Sequence, residues 1–206
     1  MLEIFRQNIE LAGAKNIKVQ QGDAQALPYA DNMFDAAFSM FGLMFFSDRR
    51  RGFAEIYRTL KTGGTIAVTS WVPVDQSPAM QVMFGALRVM KSEIPEPQRA
   101  IGSLENPEVF RQEMQDAGFR EVKIARVAKE FPVDTISAFW EGMVKSSAPI
   151  QMLKHSMGKA LWQEKLALSY LQNRLPATPT ALASDAWLGT GIRYVHTKVT
   201  GCFACL

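Results

Sequence analysis

Cysteine is almost absent. The chain has two in 206 residues, Cys202 and Cys205, both in its last five positions. That excludes a disulfide framework, and the pair has no second Cys or His set at zinc-ligand spacing. Long apolar runs are absent as well. None approaches the ~18 residues that a membrane helix needs, and the longest candidate, Met40 to Phe46, is a buried strand or loop. The start of the chain, Met1-Leu2-Glu3-Ile4-Phe5-Arg6-Gln7, is amphipathic and not a secretory leader with a basic end and an apolar middle. An excess of one charge sign is missing too: 23 Lys plus Arg against 20 Asp plus Glu leave a net charge of +3. So small a surplus gives no electrostatic footprint for nucleic acid. Cytoplasmic location is the expectation.

What is present is ordinary globular material. Hydrophobic residues make up 48% and charged residues 21%, enough to bury a core without a metal or disulfide staple. At ~150 residues per domain the expectation is one domain over 1–206. No internal repeat, low-complexity tract or linker interrupts it.

Apolar residues at Leu2, Phe5, Ile9 and Ala12 have helical spacing, and Gly13 follows as a C-cap. Ile17 to Gln21 alternates as a short strand. Phe34 to Phe38 has the composition of a fully buried strand. Ser47 or Asp48 caps a helix to Lys61 that puts Phe53, Ile56, Tyr57 and Leu60 on one face, and Gly63-Gly64 ends it. Thr65 to Trp71 is rich in β-branched residues and predicts a strand. Strand, loop, strand, helix, strand is the order of a parallel sheet in an α/β fold. Further on, Pro78 to Glu93 predicts a Met-rich helix. Asn106-Pro107-Glu108 opens another, with Pro at its first position, running to Gly118. Arg120 to Phe131 predicts a strand, Asp134 caps a helix holding Phe139 and Trp140, Ile150 to Leu175 is mostly helical, and Ala186 to Val199 is a final strand.

The run Gly22-Asp23-Ala24, then Leu27-Pro28-Tyr29, an acidic turn at Asp31-Asn32 and Phe34-Asp35 resembles the middle of class I S-adenosylmethionine-dependent methyltransferases. The group related to quinone-biosynthesis methyltransferases is the nearest in pattern. The similarity continues through Phe45 to Arg49, Glu55 to Lys61 and Gly63-Gly64, where Thr62 stands in place of the family's usual Pro. The helix ending in Asp116-Ala117-Gly118-Phe119 resembles the family's C-terminal region. The resemblance implies a Rossmann-like α/β sheet with helices on both faces. It also implies S-adenosylmethionine as cofactor and methyl transfer to a small-molecule acceptor. Asp23 is implied to accept from the adenine amine, a role that suits a group able only to accept. Ala24 is implied to offer its N–H to the ring. Ser39, Met40 and Phe41 end a strand where ligands of open α/β sheets sit. Trp71 and Phe46 are candidates for the acceptor pocket. The segments 73–117 and 132–180 fall where the family has substrate-covering and C-terminal helical elements. The resemblance names no catalytic side chain, because an activated sulfonium needs alignment with its acceptor and no protein nucleophile.

The same resemblance implies a gap. No Gly-x-Gly precedes Gly22, and no acidic residue ends a strand at the ribose position. The pattern therefore predicts a domain lacking its first strand, helix and second strand. Three readings follow: a fragment, a shortened relative whose partner completes the sheet, or a repacked chain. A catalytically inactive fragment, or a partner-dependent binding subunit, is the alternative function, because the Gly-rich cofactor loop is absent.

The remaining signals have plainer accounts. Trp140, Trp162 and Trp187 are core candidates, and Met80, Met83 and Met90 are core gap-fillers. Arg49-Arg50-Arg51 is a solvated helix face. His155 and His196 are isolated and imply no metal site.

Overall fold

The computed structural model describes residues 2–95, 102–176 and 178–194. The predicted end of the last strand beyond Tyr194, His196 and the Cys202/Cys205 tail lie outside them. The first helix is α1 (Leu2–Leu11), which buries no residue. Strand β1 (Phe34–Met40) leads through a 3-10 turn (Leu43–Phe45) into α2 (Arg49–Thr59) and β2 (Leu60–Trp71). A second 3-10 turn (Val74–Gln76) precedes α3 (Pro78–Met90). Then come α4 (Pro107–Asp116), β3 (Phe119–Val133), α5 (Ile136–Ser146), α6 (Ala148–Leu161), α7 (Glu164–Arg174) and β4 (Thr180–Arg193).

The sheet order is β1-β2-β4-β3. Strands β1 and β2 run parallel through the α2 crossover, with Phe38 opposite Ala67 and Met40 opposite Thr69. Strand β4 lies antiparallel between β2 and β3, with Trp71 opposite Ala186 and Val127 opposite Ala186 on its other side. Phe53, Leu60, Ile66, Val68, Phe110, Met114 and Phe119 form one core between the sheet and α2 and α4. A second core joins α3, α5, α6 and α7 through Val82, Trp140, Ile150, Trp162 and Leu171, and reaches the sheet at Val133 and Leu182.

Local chemistry accounts for the element ends. Asp48 caps α2 by accepting from the Arg51 N–H, and Asn106 caps α4 by accepting from the Glu108 N–H, with Pro107 first in the helix. Thr135, not Asp134, caps α5 by accepting from the Ala138 N–H. Helix α2 stops at Thr59, before the predicted Lys61, and β2 already begins at Leu60. The Gly63-Gly64 pair therefore lies inside a strand that starts earlier than expected.

Two strand expectations are corrected. Ile17 to Gln21 is irregular backbone; alternation alone makes no strand without a neighbouring ladder to pair with. Phe34 to Phe38 is a strand but not a buried one: Phe38 is 74% exposed and Met40 64%. As the first strand of the sheet order, β1 pairs on one side only. Arg49 is not part of a solvated basic face. Its guanidinium donates to both oxygens of Glu113, at 2.6 and 3.0 Å, and to the Gly102 carbonyl at 2.7 Å, tying α2 to α4.

Candidate functional site

The parallel pair sets the place to look. In open α/β sheets ligands sit beyond the carboxyl ends of such strands. Here that end is formed by Ser39, Met40 and Phe41 after β1 and by Trp71 at the end of β2. Phe41 adopts a positive φ of 54°, which turns the chain out of the strand, and its N–H donates to Thr69 Oγ1 at 2.9 Å. Ser39 Oγ accepts from the Leu43 N–H at 3.1 Å and starts the 3-10 turn. Phe41 stacks on Trp71 with ring centroids 4.0 Å apart and an 18° interplanar angle. A flat aromatic wall therefore stands at this end of the sheet. The Phe46 ring lies instead against α2, where a Cβ on Gly52 would meet it at 2.6 Å.

Asp23 reaches the neighbourhood through its loop. Its Oδ1 accepts from the Gln25 N–H at 2.8 Å and from Gln25 Nε2 at 3.3 Å. These bonds, the backbone one first, hold the exposed carboxyl below its ordinary range. Gln25 Oε1 in turn accepts from the Asp48 N–H at 2.8 Å and from Ser47 Oγ at 3.2 Å. So Asp23-Ala24-Gln25 is fastened to the N-terminus of α2, just past the β1 turn.

The rest of the loop is fastened by α2 itself. Glu55 Oε2 accepts from the Leu27 N–H at 2.7 Å. Arg58 donates to Glu55, Asp31 and the carbonyls of Leu27 and Tyr29. Gln25, Glu55 and Arg58 are the positioning residues that the motif reading did not single out. Glu55 and Arg58 carry a sequence signal in their i, i+3 spacing; Gln25 carries none.

Of the four tryptophans, Trp71 ends β2 and Trp187 lies opposite Ser70 on the neighbouring strand. Trp187 donates its Nε1–H to the Glu105 carbonyl at 2.9 Å, and Trp140 and Trp162 stack on each other in the helical core. The described residues hold no cluster of His, Cys, Asp and Glu suited to a metal, and no helix among them is long and apolar enough to cross a membrane.

Residues 1–68 match the family described as "Methyltransferase domain". The chain is 34% identical over 83 residues to a demethylmenaquinone methyltransferase of Bacteroides fragilis, covering 40% of this chain and 34% of that protein. It is 34% identical over 119 residues to the demethylmenaquinone methyltransferase of Corynebacterium kroppenstedtii, covering 52% of each. The chain thus spans about a third to a half of the curated relatives' length. Among solved structures, the YcgJ protein of Bacillus subtilis superposes with a TM-score of 0.53 at 18% identity, covering 95% of this chain and 79% of that one. A Bacillus halodurans protein named by inference as a methyltransferase gives 0.52 at 16% identity, covering 94% and 79%. The fold is similar to that of these two solved structures, an α/β sheet with helices packed on it. The resemblance read from Gly22 to Trp71 lies, but for its last three residues, inside the matched methyltransferase domain.

The residues present fit one end of the expected cofactor. Asp23 offers an exposed, ionised acceptor, and Ala24 follows it in the same fastened turn. An acceptor beside a backbone N–H suits the adenine end of that group.

Proposed function

We propose that this chain carries the adenine-binding and acceptor-facing part of an S-adenosylmethionine-dependent methyltransferase acting on a small aromatic molecule. The observation that carries the reading is the Asp23 turn, fastened through Gln25 to Ser47 and Asp48 beside the end of β1. The cofactor, when bound, supplies an activated methyl group on a sulfonium. The chain's own part is to bind and to orient. Asp23 accepts from the adenine amine, and Ala24 offers its N–H to the ring. Ser39, Met40 and Phe41 line the path from the adenine end toward the acceptor.

The stacked pair Phe41 and Trp71 supports a flat acceptor, since one aromatic face packs well against another. The relatives named for demethylmenaquinone support a quinol-type ring. The helices of 73–117 and 132–180 serve to cover that ring and exclude water.

The test is calorimetric titration of S-adenosylhomocysteine into the full 206-residue chain. Micromolar binding is expected, weakened about tenfold or more in Asp23→Ala, the loss typical of one hydrogen bond to a charged acceptor. A cooperatively folded chain that binds no S-adenosylhomocysteine overturns the cofactor reading.

A further inference from the structure

Phe41 turns left-handed just after β1, with φ at 54°. Bulky side chains rarely adopt that region. Gly42 comes next and could take such a turn at no steric cost, yet Gly42 keeps φ at −97°. A turn that merely ended the strand would be easier one residue later. Strain of this kind persists where the surroundings over-determine it, and it gathers at ligand sites.

Two hydroxyls hold the turn. The β1–β2 ladder runs in register as far as Met40 opposite Thr69. At the next residue the Phe41 N–H donates to the Thr69 side chain, Oγ1, at 2.9 Å. Thr69 is buried, at 8% exposed. On either side of Phe41, Ser39 Oγ accepts from the Leu43 N–H at 3.1 Å. The outcome is the stack of Phe41 on Trp71, with 4.0 Å between ring centroids. Trp71 lies two residues after Thr69 in β2 and so shares its face of the sheet. Phe38 and Met40 are exposed opposite Ala67 and Thr69 on that face. Phe41 and Trp71 are themselves half-buried, so the stack borders open surface.

Resting on the reading of this end of the sheet as the acceptor site, we propose that Thr69 is a positioning residue for a flat aromatic acceptor. Its hydroxyl captures the Phe41 N–H. The captured backbone turns left-handed, and the turn lays the Phe41 ring on Trp71 as a platform. Thr69 thereby sets affinity for the acceptor ring without touching it. Side-chain chemistry separates this role from plain packing. Valine keeps the branched shape and lacks the acceptor oxygen, whereas serine keeps the oxygen and lacks the methyl group.

The test compares Thr69→Val and Thr69→Ser with the unaltered full chain. One readout is the set of Trp71 indole proton shifts in NMR, assigned with Trp71→Phe, which the stacked Phe41 ring displaces. The other is affinity for 1-naphthol, a flat aromatic probe, by ligand-observed NMR. In Thr69→Val the Trp71 shifts are expected to move toward those of a free indole. Its 1-naphthol affinity is expected to fall about tenfold, the loss of one buried hydrogen bond. Thr69→Ser is expected to keep the shifts and an affinity within about twofold of the unaltered chain, and S-adenosylhomocysteine affinity to stay within about twofold in both variants. Thr69→Ala removes the same oxygen and decides the matter should Thr69→Val not fold. Unmoved Trp71 shifts in Thr69→Val overturn the proposal, as does a serine variant that behaves like the valine one. An equal loss of 1-naphthol and S-adenosylhomocysteine marks a merely structural role and overturns it as well. Binding of 1-naphthol that Thr69→Val leaves unchanged removes this inference alone. No 1-naphthol binding by the unaltered chain removes it together with the aromatic-acceptor reading, and S-adenosylhomocysteine binding on the same sample then shows the cofactor reading standing by itself.

Discussion

Arg58 shows how a single side chain holds a loop of mostly irregular backbone. Its guanidinium bridges Glu55 on its own helix and Asp31 across the loop, and it closes on the carbonyls of Leu27 and Tyr29. Both carboxylates raise its pKa further above the guanidinium range. Replacing it with methionine keeps much of the packing and removes five donors' worth of bonding. Arg58→Met is expected to lower the urea midpoint, because the variant loses several partly exposed hydrogen bonds to charged and neutral acceptors. The amides of the Gln25–Asp31 stretch should exchange faster by hydrogen–deuterium exchange, and affinity for S-adenosylhomocysteine should fall with them. Unchanged exchange in that stretch would show that the loop is held by something else.

Glu55 is the acid partner in this network and predicts a pH dependence. Arg58 first, then the Leu27 N–H, hold its carboxyl below the ordinary glutamate value of 4.5. A carboxyl depressed in the folded state contributes stability above its unfolded pKa. That contribution disappears as pH falls through the lower, folded value. The chain is therefore expected to lose stability on acidification below about 4.5. Glu55→Gln is expected to be less stable at neutral pH and to show a flatter decline through that window, read by urea midpoints at successive pH values.

At the scale of elements, α4 and β4 pack with no room to spare. A Cβ on Gly189 would lie 2.6 Å from Phe110 Cζ and 2.9 Å from Met114 Sδ. Both neighbours are fully buried. Gly189→Ala is expected to cost about 1–3 kcal/mol through overpacking, seen as a lower urea midpoint with an unchanged slope. A neutral result would mean that α4 can shift from the sheet. Such contacts explain what the sequence could and could not disclose. Helix starts are local, so Asp48 and the Asn106-Pro107 pair announced α2 and α4 correctly. Strand status is not local. Ile17 to Gln21 alternates well and stays irregular, because no neighbour offers it a ladder. The Asp23 turn was legible because its motif is contiguous. The Arg126–Asp185 pair, separated by 59 positions, was not, because only the register of β3 against β4 brings it together.

The whole molecule has two unlike surfaces. Helices α2 and α4 cover one face of the sheet, and the α3, α5, α6 and α7 cluster covers the far end of the other through Leu182 and Val133. The β1–β2 end of that second face has no such cover among the described residues, and Phe38 and Met40 are exposed there. Helix α1 exposes Ile4, Phe5 and Leu11 as well. An apolar strand that pairs on one side only is a template for association, and a contiguous apolar patch favours it further. The full chain is therefore expected to self-associate in a concentration-dependent way in sedimentation velocity. Phe38→Lys places a charge at the middle of the exposed strand, where edge strands commonly carry one to prevent pairing. Because Phe38 contributes little burial, that variant should keep its unfolding free energy within about 0.5 kcal/mol. Its sedimentation should move toward the monomer. A monomer at all concentrations in the unaltered chain would mean that this face is hidden in solution, and Phe38→Lys would then lower the unfolding midpoint while leaving the sedimentation unchanged.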